Sequence, residues 1–83
     1  LMQNYPNPFN SETIISYQLS VNSFITLKVY DVLGKEAATL VNENKEAGNY
    51  SVKFDASNFT SGVYYYTIQQ NEKSEIKKLI LMK

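Results

Sequence analysis

Apolar and polar residues alternate with period two along most of this chain. From Thr13 to Leu19, Ile15, Tyr17 and Leu19 share one face and Ser16 and Gln18 the other, with Ile14 a mild break. Ile25, Leu27 and Val29 alternate with Thr26, Lys28 and Tyr30. Tyr50, Val52 and Phe54 alternate with Ser51 and Lys53. Tyr64, Tyr66 and Ile68 alternate with Val63, Tyr65 and Thr67, and Leu79 and Leu81 with Lys78 and Ile80. Successive side chains of a strand point to opposite faces. Each segment therefore predicts a strand with one face packed and one wet.

Lys35 to Asn44 is ambiguous, because its residues also suit a short helix. We read a strand over about Glu36 to Val41. The preceding Asp31-Val32-Leu33-Gly34 is a tight turn, with Gly where φ > 0 is needed, and a turn of that kind predicts a hairpin. Turn-forming stretches at 20–23, 31–34, 42–49, 56–62 and 70–74 separate six strands. Asn4 to Phe9 is a candidate for a short seventh. Its Pro6 and Pro8 lack an N–H, which places it at an edge or in an extended arm.

Short strands at this spacing predict an all-β, immunoglobulin-like antiparallel sandwich of about seven strands. Tyr64 opens a strand after a loop containing Gly62, the position of a tyrosine corner, whose hydroxyl bonds back to loop backbone. The plainer reading makes Tyr64 one more buried aromatic. No internal repeat or linker divides the 83 residues, which predicts one domain over 1–83. The first residues carry neither a basic nor an apolar region of a signal peptide. We expect the chain to be a fragment of a larger protein.

Composition narrows the function. Eight basic residues, all Lys, balance eight carboxylates, and Cys, His, Trp and Arg are absent. The commonest general base and metal ligand are missing. So are thiolate ligands and the bidentate guanidinium fork. Zero net charge argues against non-specific nucleic-acid binding, and no apolar run approaches the length of a membrane helix. Asp31 and Asp55 sit at strand ends beside turns, where Asp caps backbone N–H groups. Ser57 and Ser61 have no base to activate them. The chain is expected to hold no cofactor, no metal and no catalytic residue.

Tyr64-Tyr65-Tyr66 sends two rings to one face and Tyr65 to the other. Core packing accounts for Tyr64 and Tyr66, and Tyr65 is left for cross-strand packing or a contact face. The chain ends on Lys78-Leu79-Ile80-Leu81-Met82-Lys83, an apolar strand flanked by Lys. Lysines guard an edge strand against aggregation. Equally, an accessible edge strand can be taken up by a receptor through strand addition.

These motifs together resemble the C-terminal sorting domain family of the type IX (Por) secretion system. Asn4-Tyr5-Pro6-Asn7-Pro8-Phe9-Asn10 looks like its opening signature, and Ile15-x-Tyr17-x-Leu19 like its first strand. Thr26 to Glu36 resembles its central hairpin, and Phe54-Asp55-Ala56-Ser57 a later strand and loop. Ser61-Gly62-Val63-Tyr64 resembles its Gly-x-Tyr motif, and Lys78 to Lys83 its terminal Lys-apolar motif. Departures are small: Ser11 stands where a further proline is common, Ala37 for a larger aliphatic, and Phe54 for Trp.

The resemblance implies a secretion address rather than a catalyst. Its implied partners are an outer-membrane translocon, a sortase-like peptidase that removes the domain, and a cargo domain upstream in the same chain. The route would run through the periplasm to the cell surface or beyond. Gly62 with Tyr64, and the strand Lys78, Leu79, Ile80, Leu81, Met82 and Lys83, are the expected recognition residues. A carbohydrate-binding or adhesive module, or a structural spacer, is the alternative.

Overall fold

A computed structural model describes residues 1–83. Six strands follow in chain order: β1 Glu12–Leu19, β2 Ser23–Asp31, β3 Glu36–Lys45, β4 Gly48–Asp55, β5 Gly62–Gln70 and β6 Lys73–Leu81. One sheet pairs β1 with β4, and the other runs β3-β2-β5-β6. Every pairing between strands is antiparallel. The result is the all-β sandwich that the alternation predicts, with six strands instead of about seven.

The faces fall as the period-two pattern requires. Ile15, Tyr17 and Leu19 of β1, Ile25, Leu27 and Val29 of β2, and Tyr64, Tyr66 and Ile68 of β5 are all buried. Phe54, Leu79 and Leu81 close the same core, and Tyr65 lies half-buried on the opposite face. A row of aromatic rings links one end of this core. Phe9 lies 6.2 Å from Phe54, Phe54 5.5 Å from Phe59, and Phe59 5.8 Å from Tyr64.

Two expectations about element extent change. β3 runs to Lys45 rather than Val41, since its ladder with β2 continues to the Ser23–Lys45 pair. The Asn-rich run that reads as a turn is the wet end of an edge strand. There the Asn42 amide accepts from the Thr26 hydroxyl at 3.2 Å, and only Glu46 and Ala47 separate β3 from β4. The second change concerns Asn4 to Phe9, which forms no strand. It makes one antiparallel bridge, Tyr5 to Ile14, and one parallel bridge, Phe9 to Leu81. Pro6 and Pro8 interrupt donation just where the segment leaves β1 for β6, so no continuous ladder forms with either.

Both Asp residues cap turns. Asp31 Oδ1 accepts from the N–H groups of Leu33 and Lys35, each at 2.9 Å. Gly34 follows with φ 84°, the left-handed conformation expected of it. Asp55 Oδ1 accepts from the Ser57 N–H at 3.0 Å, and that bond holds the Asp55 carboxyl below its ordinary value.

Candidate functional site

The residues singled out at the two ends of the chain meet on one side of the sandwich. Gly62 pairs with Leu81 and Tyr64 with Leu79, so the Gly-x-Tyr motif and the terminal strand are neighbours. Gly62 has φ 150° with open space where a side chain would begin. Its backbone conformation, not crowding, is what asks for glycine there. The Tyr64 hydroxyl donates to the Thr60 carbonyl at 2.8 Å, which forms the tyrosine corner. The chain end is tied to the same loop: the Lys83 N–H donates to Ser61 Oγ at 3.1 Å, and Lys83 Nζ to the Ser57 carbonyl at 2.6 Å.

The terminal motif divides by parity. Leu79 and Leu81 are core residues. Lys78, Met82 and Lys83 are exposed and Ile80 is half-buried, so these four present the motif to solvent. A cleft of about 520 Å³ opens between the β2–β3 turn and the β4–β5 loop, reached by Gly62 and Tyr64 of β5 but by none of these four residues. Val32, Leu33, Phe59 and Val63 give it apolar walls, Gly62 and Tyr64 line it, and Lys35 is the one lining cation.

The N-terminal signature has a structural role that the sequence reading left open. It lies between β1 and β6, the two strands that leave the sandwich open on this side. Toward β1, the Met2 N–H donates to the Ser16 carbonyl at 2.9 Å. Tyr5 and Ile14 exchange bonds of 3.0 and 2.9 Å. Toward β6, the Phe9 N–H donates to the Ile80 carbonyl at 3.0 Å, and the Met82 N–H donates to the Phe9 carbonyl at 2.8 Å. Two side chains add to this. Asn7 Oδ1 accepts from the Ile80 N–H at 3.0 Å, and Gln3 Nε2 donates to the Lys78 carbonyl at 2.7 Å.

A buried polar cluster fastens the first half of the arm. The Asn4 N–H donates to the Tyr66 hydroxyl, which donates in turn to the Met2 carbonyl, both at 2.8 Å. Asn4 Nδ2 donates to the Pro6 carbonyl and to Thr13 Oγ1, and the Thr13 hydroxyl reaches the same carbonyl at 2.8 Å. No buried side-chain N or O atom lacks a partner. Burial pushes the Tyr66 phenol above its ordinary value, while the Asn4 N–H pulls the other way. Of the signature, Asn4 and Phe9 are buried, whereas Tyr5, Pro6, Asn7, Pro8 and Asn10 are exposed.

Sequence reading missed Gln3, Thr13 and Tyr66 as parts of this fastening. Thr13 carried a usable signal: it occupies the core parity of β1, ahead of Ile15, Tyr17 and Leu19, yet it is polar.

No three Asp or Glu side chains converge to hold an ion. Glu36 pairs with Lys28 at 2.9 Å, Glu43 with Lys45 at 2.8 Å and Glu12 with Lys53 at 2.8 Å. No helix is long and apolar enough to cross a membrane.

No curated protein matches the chain closely enough to count as a relative. The sequence model of the secretion system C-terminal sorting domain matches residues 3–82. That match takes in both the arm and the terminal strand it binds. The chain therefore belongs to the type IX secretion C-terminal sorting domain family, and its role is that of a secretion-sorting signal.

Proposed function

We propose that this domain is read by the type IX outer-membrane translocon through the end of β6 and the corner beside it. The observation that carries the reading is the family match over residues 3–82. Gly62, Tyr64 and Lys78 to Lys83, the residues the resemblance names, support it by lying on adjoining strands. The recognised groups are the outward ones, Lys78, Ile80, Met82 and Lys83, together with the Gly62–Tyr64 wall of the cleft.

In this reading the domain performs no catalysis and follows a cargo in the same chain. The cargo crosses the inner membrane by a separate signal, transits the periplasm and leaves through the translocon to the cell surface or the medium. A sortase-like peptidase then removes the domain. A cut ahead of Met2 would leave every hydrogen bond of the arm in place.

The test fuses residues 1–83 to a periplasmic reporter in a bacterium with a type IX system. Deleting Leu79 to Lys83 is a poor variant, because Leu79 and Leu81 belong to the core. Replacing Lys78, Ile80 and Met82 by Ser spares both core leucines. We expect the wild-type fusion to be exported and the folded triple variant to stay in the periplasm. Wild-type export by the triple variant would remove the terminal strand from the reading. A wild-type fusion that stays in the periplasm would remove the sorting role itself.

A glycan-binding reading rests on Tyr30 and Tyr65, which are paired in register and half-buried on the outer face of the four-stranded sheet. Aromatic faces of this kind stack on sugars. Polysaccharide binding that is lost in Tyr30→Ala and Tyr65→Ala is its expected sign.

A further inference from the structure

The β6 edge is regular. Its nine residues pair with β5 from Gly62–Leu81 to Gln70–Lys73 without a register shift. In an antiparallel ladder, successive residues point their backbone groups alternately toward the partner strand and away from it. The arm's bonds reach Lys78, Ile80 and Met82, so the even-numbered residues face away from β5. Ser74 and Ile76 face the same way, and no arm hydrogen bond reaches them. The Ile76 side chain is 63% exposed beside them. The outward backbone groups of the edge are thus free at its start, where the Leu1 ammonium reaches only the Glu75 side chain at 3.6 Å, and occupied at its end.

The occupant is itself a strand-like segment. Phe9 adds to β6 in parallel and inserts its ring into the core, where it is 3% exposed. The arm also divides into two halves at Pro6. The half from Met2 to Tyr5 is fastened to β1 and to the Asn4–Thr13–Tyr66 cluster, and it meets β6 through the Gln3 side chain on the Lys78 carbonyl. The half from Asn7 to Phe9 is fastened to β6 by two backbone bonds and the Asn7 side chain. The second half can leave while the first holds.

Charge indicates what replaces it. Lys28, Lys45 and Lys53 each have a carboxylate partner. Lys73, Lys77, Lys78 and Lys83 have none, and they lie on β6 or just beyond its end. An added strand with carboxylates would meet Lys73, Lys77 and Lys78, free of carboxylate partners, while Glu75 between them is paired with the Leu1 ammonium and Lys83 Nζ is held by the Ser57 carbonyl. An added strand with a large aromatic opposite Leu81 would refill the space that Phe9 leaves.

We propose that the β6 edge is a strand-exchange site, on which an acidic partner strand carrying an aromatic residue displaces Asn7–Phe9 and takes the Lys78 carbonyl from the Gln3 side chain. The partner lands on the open Ser74–Ile76 edge and extends toward Met82 in the arm's parallel orientation. Main-chain bonds supply affinity, and the aromatic pocket and the lysines supply selectivity. Taking that partner to be part of the export machinery rests on the sorting reading above.

The experiment locks the arm. The chain has no cysteine, so Asn10→Cys with Met82→Cys creates a single thiol pair beside the Phe9–Leu81 bridge. The probes are two synthetic peptides, one with the sequence of residues 1–10 and one in which Gln3, Asn7 and Asn10 of that sequence are replaced by acidic residues. Binding is read by fluorescence anisotropy on the wild-type chain and on the locked chain, oxidised and reduced.

We expect the acidic peptide to bind the wild-type chain about tenfold or more tightly than the neutral one, with the gap closing at high salt. Oxidation of the locked chain should abolish binding, and reduction should restore it. Equal binding to the oxidised and reduced forms overturns the proposal, as does equal binding of the two peptides. Chain dimers that the lock abolishes, without peptide binding, would make a second copy the occupant and also overturn it. Export separates this from the sorting reading. A lock that blocks peptide binding but leaves the reporter exported as well as the single Met82→Cys chain sinks exchange by the export machinery alone, whereas a wild-type fusion that is never exported sinks the sorting role alone.

Discussion

The two outer edges of the four-stranded sheet are protected in opposite ways. The β3 edge is broken from within: pairing with β2 skips Leu40 between Val41 and Thr39, and skips Ala37 between Ala38 and Glu36. Bulges of this kind bend an edge and spoil it as a template for another strand. The β6 edge has no such defect, and its end is covered instead by the arm. A bulge is permanent, because it is built into the register. A cover held by a few hydrogen bonds and one ring can be exchanged. The irregular edge is thus closed to partners, while the regular edge is conditionally available. In this fold the conditional edge is the one carrying the terminal motif.

Removing the ring is the strongest way to break this contrast. Phe9→Ala deletes a buried aromatic that packs on Phe54, and the expected loss is about 3–5 kcal/mol. In a small domain with a thin core, that is a large share of the stability. Urea denaturation should show the loss, and hydrogen exchange should show the Ile80 and Met82 amides opening first. Leu40→Ala is the control on the other edge. Leu40 is half-buried at a bulge, so about 1–2 kcal/mol is expected. Equal losses at the two positions would mean that the arm is no more structural than the bulge.

The Tyr66 hydroxyl gives a narrower test. Tyr66→Phe keeps the ring but strands the Asn4 N–H and the Met2 carbonyl. A cost of about 1–3 kcal/mol follows from leaving the buried Asn4 N–H unpaired, since the Met2 carbonyl belongs to an exposed residue that water can serve. Tyr65→Phe, one residue along and on the outer face, removes a hydroxyl with no hydrogen-bond partner in the protein and should be nearly neutral. If the two variants unfold at the same urea concentration, the buried cluster does not fasten the arm.

How much of this was legible beforehand divides along the same line. Period-two alternation was enough for the strands and the core faces, because it depends only on which face is wet, and the corner at Tyr64 was legible from its place just after the Gly62 loop. The caps at Asp31 and Asp55 were legible because a short carboxylate beside a turn has local N–H groups to accept from. The full length of β3 was not. Asn42 and Asn44 carry turn propensity, and only a cross-strand partner keeps them extended. The arm was harder still. Its bonds to β5 and β6 join residues more than sixty positions apart, such as Asn4 with Tyr66 and Asn7 with Ile80, and no local pattern encodes that separation. Family resemblance marked Asn4 to Asn10, yet it did not reveal that the segment covers the end of β6.

The smallest effect expected is one of pH, and it should fall on one side only. Glu36, beside a β3 bulge, is held below its ordinary value first by the hydrogen bond from Lys28 and then by that from Thr39. Asp55 is held down by the Ser57 N–H. A carboxyl depressed in the folded chain stabilises it fully above the unfolded value, and that stabilisation is lost as pH falls through the folded value. The window therefore opens below 4.5 for Glu36 and 3.8 for Asp55. Both groups are solvent-exposed, so screening keeps the effect small. Beside one long pair of the Leu1 ammonium with the exposed Glu75 carboxylate at 3.6 Å, the arm is fastened by amides, hydroxyls and backbone groups, none of which titrates in that range. Its titrating member is Tyr66, whose raised value places its contribution at the other extreme, complete below 10.0 and lost as pH rises through the folded value. Hydrogen exchange at pH 3 and pH 6, corrected for intrinsic rates, should show protection falling at Lys35–Thr39 and Ser57 while Ile80 and Met82 hold. If Ile80 and Met82 lose protection in step with β3 in acid, the two edges are not independent, and the arm is not the separable cover that the strand-exchange proposal needs.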